Sequence, residues 1–115
     1  MRYLSNITNN PNQTYNLQTD EGLNISMTLR YLPNNQIWLA NFTNPSSNWF
    51  LYGIKLTNNF NVLRQYQNII SYGLACVSDD LVDPFLVNDF SSSRCRLYLL
   101  NSVDIANYAN EIKNP

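Results

Sequence analysis

The side chains able to do chemistry are few and scattered. Asp79, Asp80 and Asp83 form the one acidic cluster. A calcium or magnesium ion would draw several oxygen ligands from such a loop. Their spacing does not match the EF-hand calcium loop, and no closing glutamate follows. Asx-turn and loop-capping roles are therefore expected. Histidine is absent, so Ser and Cys nucleophiles lack their usual base. Lys55 and Lys113 have no neighbouring serine signature. Two cysteines without histidine supply too few ligands for structural zinc. None of the 8 acids is singled out as one of a glycosidase pair. The 3 glycines form no phosphate-cradling loop. The reading is of a chain that is not an enzyme, with no catalytic, cofactor-binding or metal-binding residues and no small-molecule substrate.

Three residues stand out for binding instead. Trp49 opens a strand-like run directly after the turn Thr43-Asn44-Pro45-Ser46-Ser47-Asn48. A tryptophan at such a place suits an interface anchor. Arg94 and Arg96 share one face of a predicted strand. Their guanidinium forks fit acidic or carbonyl groups, although such a pair also makes an ordinary solvated face. Trp49, Arg94 and Arg96 are the interface candidates.

The elements that must position them read as strands. Leu23, Ile25, Met27, Leu29 and Tyr31 alternate with Asn24, Ser26, Thr28 and Arg30. That period of two marks a strand with one wet face. Leu32-Pro33-Asn34-Asn35 breaks it, and Gln36 to Phe42 follows as the hairpin partner. Met1 to Ile7 and Thr14 to Leu17 predict two short strands before it. In Trp49 to Leu56, the face carrying Phe50, Tyr52, Ile54 and Leu56 is expected inward, and Gly53 in mid-run invites a bulge. Consecutive strands with short turns predict a meander. Val62, Leu63, Tyr66, Ile69 and Ile70 suggest a helical turn. Ser71 to Val77 and Arg94 to Leu100 are further strands, the latter with Cys95, Leu97 and Leu99 opposite Arg94, Arg96, Tyr98 and Leu100. A short C-terminal helix to Ile112 is expected, capped by Ser102, with Val103 and Ala106 inward. Tyr108 or Ala109 could join them. Trp38, Phe50, Tyr52 and Tyr98 are assigned to the core. The fold class is all-β, mainly antiparallel. A small closed or nearly closed β-barrel is expected, because closure removes exposed edges.

Composition narrows the function. The chain has 115 residues, 44% hydrophobic, with a formal net charge of −1. One domain is expected. With 7 basic and 8 acidic residues there is no electrostatic reason to expect nucleic acid, which needs a clustered basic face. No apolar run is long enough to span a membrane, and the polar N-terminus does not read as a signal peptide. Only 13% of residues are charged, against about 25% in typical domains. Asn occurs twenty times, so neutral amides make much of the polar surface, which does little to oppose association. Four Asn-x-Ser/Thr sites, at Asn6, Asn12, Asn24 and Asn41, fit that frequency without implying glycosylation. Cys76 and Cys95 lie in apolar strands and are expected to be free thiols.

The succession Leu29-Arg30-Tyr31, Trp38, Tyr52-Gly53-Ile54-Lys55-Leu56, Asn61-Val62-Leu63, Leu74, Asp83-Pro84 and Arg96-Leu97-Tyr98-Leu99 resembles the baseplate plug proteins of contractile-tailed bacteriophages. The likeness runs from about Thr8 to Asn101. It departs from the family pattern at Ala40-Asn41, where an acidic residue usually follows the Trp, and at Phe60, where glycine is common. The resemblance implies a virion structural protein in the tail baseplate, a plug that closes or joins the central hub. Its partners would be hub, spike and tube proteins, and its assembly would take place in the host cytoplasm. The alternative reading is a β-rich binding or adaptor module unrelated to tails. A small hydrolase or lectin-like domain is a more distant one.

Overall fold

The computed structural model describes residues 2–19, 22–44, 49–66 and 70–113, the side chains of Trp49 and residues 108–113 excepted. It is mostly antiparallel strands in two sheets with one C-terminal helix. A four-stranded meander runs β2 (Asn12–Gln18), β3 (Asn24–Leu32), β4 (Ile37–Asn44) and β5 (Trp49–Lys55). A three-stranded sheet is ordered β1 (Arg2–Tyr3), β7 (Cys95–Leu100) and β6 (Gly73–Ser78).

The alternation predicted for Leu23 to Tyr31 is present. Ile25, Met27 and Leu29 are buried and their neighbours are not. On β4, Trp38, Ala40, Phe42 and Asn44 point inward. Facing them, Leu74, Cys76, Cys95, Leu97 and Leu99 complete a hydrophobic core shared by both sheets. The rings of Phe42 and Tyr72 approach to 6.2 Å across it. Cys76 and Cys95 are free and buried on paired strands. Burial pushes their thiols up to about 12 and about 11.

The sheets do not close into a barrel. β1 has two residues and pairs only with β7, too short to carry a ladder across to β2. Side chains link the two sheets there instead. The Arg2 guanidinium donates to the Gln18 carbonyl, and the Tyr15 hydroxyl donates to the Asn6 carbonyl at 2.8 Å. At the other seam the segment after β5 covers the edge of β6. Asn59 and Cys76 exchange two backbone bonds of 2.9 Å, and Val62 N–H reaches Leu74 O at 2.8 Å. Asn61 is buried in this seam and accepts the amides of Leu63 and Leu74. Gly73 is required beside it, since a Cβ there would lie 2.7 Å from Asn61 Oδ1.

The predicted inward face of β5 is wrong for its first half. Phe50 and Tyr52 are 60% and 63% exposed. Leu51 faces Phe42, but Ile54 faces Ala40. Two residues of β5, Tyr52 and Gly53, therefore oppose the single Asn41. This is a bulge with Gly53 at φ 72°, and it swaps the faces of the strand in mid-course. Asn41 Oδ1 accepts the Gly53 amide at 2.7 Å and fixes the bulge. Tyr98 is half-buried on the outer face beside Tyr3, not in the core.

The helical turn predicted after Val62 is a 3₁₀ turn at Arg64–Tyr66. Ile69 lies outside the described residues. The C-terminal helix α1 (Ser102–Lys113) is capped by Asn101, not Ser102. Asn101 Oδ1 accepts the Asp104 amide at 2.8 Å, and Asp104 Oδ2 accepts the Asn101 amide at 3.2 Å, a reciprocal capping box. Val103 and Ala106 face solvent rather than the core. Tyr108 and Ala109 lie outside the described side chains.

Candidate functional site

Residues 79–94 connect β6 to β7 without regular structure, and one arginine organises them. Arg94 sits just before β7. Its Nε donates to Asp89 Oδ1 at 2.9 Å and its Nη2 to Asp89 Oδ2 at 2.8 Å. Nη1 reaches Asp80 at 2.6 Å and the Val82 carbonyl at 3.3 Å. Nη2 also reaches the Asp83 carbonyl at 3.2 Å. The guanidinium lies 4.9 Å from the centre of the Phe85 ring, within cation–π range.

Asp89 is the counterpart that sequence reasoning missed. It is 1% exposed. It accepts the Phe85 and Leu86 amides at 2.7 Å each as well as the Arg94 fork. Burial opposes its ionisation, but the hydrogen bonds from Arg94 and the two amides outweigh that and hold its carboxyl below the usual range. Asp89, with Asp80 beside it, raises the Arg94 pKa further despite partial burial. The only local sign of this role is the placement of Asp89 three and four residues after the amides it caps.

The predicted acidic cluster is dispersed among separate structural tasks. Asp79 pairs with Arg96 at 2.8 Å, Asp80 pairs with Arg94, and Asp83 accepts the Asn58 amide at 2.8 Å. Among the described residues no group of acids, cysteines or histidines is placed to hold a metal. A hollow of about 280 Å³ beside Asn16–Gln18 and Asn24–Ser26 has no ionisable side chain in its lining. These arrangements bring no acid, base and nucleophile together.

What the Arg94 network does hold is an exposed apolar loop. Leu81, Val82, Phe85 and Leu86 are all exposed, Leu81 at 75% and with a φ of 62°. That conformation is costly for a leucine. The loop is fastened to the core through Trp38, which is 0% exposed. The Trp38 Nε1–H donates to Leu86 O at 2.9 Å, and the Tyr31 hydroxyl donates to Phe85 O at 2.7 Å. The Trp38 ring meets Phe90 edge-on at 5.3 Å.

A second exposed apolar feature lies on β5, where the bulge turns Phe50 and Tyr52 outward. Their rings stack at 4.7 Å with an interplanar angle of 25°. The Trp49 backbone starts this strand opposite Asn44, and its side chain lies outside the described residues. Of the three predicted interface residues, Arg94 has its donors occupied within its own chain. Arg96 is half-exposed and paired with Asp79 and the Ser93 carbonyl. The arginines bond within the 79–94 loop, while the Trp49 backbone belongs to β5.

A comparison with curated proteins gives no match. The family model described as cyanophage baseplate Pam3 plug gp18 matches residues 1–102, a span that includes every strand and the whole Arg94 loop. The chain belongs to that family of phage baseplate plug proteins.

Proposed function

We propose that this chain is a structural, non-enzymatic component of a phage tail baseplate, acting as one β-rich domain that plugs or joins the central hub. The family membership carries this reading. The rigidly braced apolar loop supports it, because exposed apolar groups held in a fixed shape suit docking rather than catalysis. Its partners are other baseplate proteins, with hub, spike and tube proteins as the specific candidates. It resides in the virion tail after assembly in the host cytoplasm.

In this reading the contact surface includes Trp49 with its outward neighbours Phe50 and Tyr52, and the loop carrying Leu81 and Phe85. Arg96 contributes a rim charge, and Arg94 acts by shaping the loop. An aromatic anchor of this kind is worth about 2 kcal/mol or more, about thirtyfold in affinity. The test is a cryo-EM map of the assembled particle, with pull-downs of the tagged chain against products of neighbouring genes. The chain should occur in the baseplate, and Trp49→Ala or Phe50→Ala should weaken capture of its partner. Absence from particles, with no tail protein recovered, would falsify the plug reading. Presence with all these residues facing solvent would leave the function and remove the assigned surface.

A further inference from the structure

A sheet edge presents unpaired N–H and C=O groups, and folded chains usually guard it by brevity, a bulge, a charge or a cover. Three of the four outer edges here are guarded. β1 is two residues long. The free side of β6 is covered by Asn59–Val62. β5 carries the Gly53 bulge and Lys55. Among the described residues β2 is itself neither short, bulged nor charged, and no backbone covers its edge, which only the Arg2 and Asn10 side chains reach. It is seven residues long, reads Asn-Gln-Thr-Tyr-Asn-Leu-Gln without charge or proline, and pairs with β3 in unbroken register.

The backbone parity of β2 says which groups face outward. Tyr31 N–H bonds Pro11 O and Thr19 N–H bonds Leu23 O. The odd-numbered residues therefore exchange bonds with β3, and Asn12, Thr14, Asn16 and Gln18 turn their amides and carbonyls to the edge. One group at each end of this row is already bonded. Asn10 Oδ1 accepts the Asn12 amide at 3.0 Å, and the Arg2 guanidinium holds Gln18 O. The Asn12 carbonyl, the Gln18 amide and both backbone groups of the exposed Thr14 and Asn16 then remain, and none of these bonds a described residue beyond the strand.

We propose that this edge is a self-pairing surface, on which β2 of a second copy of the chain adds antiparallel about a two-fold axis at Tyr15. In that register Thr14 faces Asn16 of the second copy, and each such pair exchanges two backbone bonds. The outward groups of Thr14 and Asn16 in both copies are then satisfied, and the side chains bonded at the two ends limit slippage. Tyr15 meets its own equivalent at the axis, in the closer, non-hydrogen-bonded type of pair. A second copy fits the edge because the edge is neutral: self-pairing of a charged strand would set like charges opposite each other. Beside Tyr15, a groove of about 110 Å³ lined by Tyr3–Ile7 and Leu17 offers apolar surface for the second copy to cover. The inference is independent of the baseplate reading.

The test is sedimentation velocity on the whole chain over a concentration series. A monomer–dimer equilibrium is expected. Asn16→Pro removes one outward amide without touching the ladder to β3, and it should weaken dimerisation at least tenfold while the circular dichroism spectrum, and the melting temperature at concentrations where both chains are monomeric, stay unchanged. Thr14→Lys/Asn16→Lys and Thr14→Glu/Asn16→Glu should each be monomeric, and their equimolar mixture should form a heterodimer. A wild-type chain that stays monomeric up to about 1 mM, the weak end of association, overturns the proposal. So does a dimer that persists unchanged in both charged variants, or charged variants that fold but do not combine.

Discussion

Replacing Arg94 by methionine should reveal how much of the fold depends on one guanidinium. The side chain is 20% exposed and its partner Asp89 only 2%. Methionine keeps much of the stem and removes all the donors. Asp89 then stays buried as an anion held by the Phe85 and Leu86 amides alone. Removing one partner of a buried pair costs about 3–5 kcal/mol. The two surviving amide bonds and the partial exposure of Arg94 place the loss near the lower end, about 3 kcal/mol. The pair with Asp80 adds little, because surface pairs contribute about 0–1 kcal/mol. With a urea slope of about 1–3 kcal/mol/M, the midpoint should fall by about 1–3 M. The pH dependence is the sharper readout. The Asp89 pKa is lowered in the native chain, so its contribution is present above the unfolded value of about 3.9 and lost as pH falls through the folded value. Without Arg94, burial works against the anion with less opposition. The deficit of Arg94→Met relative to wild type should therefore shrink as pH falls, because Asp89 in the variant takes up a proton that the Arg94 fork holds off in wild type. Arg94→Met should also cost less in an Asp89→Asn background, where no buried anion is left behind. A loss under about 1 kcal/mol, or one independent of pH, would refute the assignment of Arg94 as the brace of this loop.

Three other outcomes are expected. Trp38→Ala should lose about 3–5 kcal/mol in denaturant titration, since the ring is fully buried and its N–H caps Leu86 O; a loss under about 1 kcal/mol would remove Trp38 from the core. Gly53→Ala should destabilise by about 1–2 kcal/mol from backbone conformation alone, because no atom lies within 4 Å of the added Cβ, and Asn41→Ala should loosen the same bulge, seen as faster amide exchange at Gly53. Cys76 and Cys95 should resist alkylation in the native chain at pH 8 and both label after denaturation without reductant, given thiols pushed up to about 12 and about 11; rapid native labelling would contradict their burial.

Much of the fold was legible in the residues. The alternation from Leu23 to Tyr31, the turn at Pro33-Asn34-Asn35 and the inward set Cys95, Leu97 and Leu99 are local patterns, and a strand with one wet face writes such a pattern directly into its sequence. The order of short motifs was likewise enough to suggest the plug family. Three features came only with tertiary structure. The exposure of Phe50 and Tyr52 depends on a bulge, which exists only relative to the residue count of the facing strand, here Asn41 on β4. The open seam beside β2 follows from β1 pairing with β7, a contact between opposite ends of the chain that no local period records. Arg94 read as an interface candidate, one of two arginines sharing a strand face, yet it is the hub of the loop before it. Its partners Asp80, Asp89 and Phe85 converge only once β6 and β7 pair and bring both ends of residues 79–94 together. Hydrophobic periodicity specifies which way a side chain points from its own strand, whereas register, closure and buried ion pairs depend on what stands opposite.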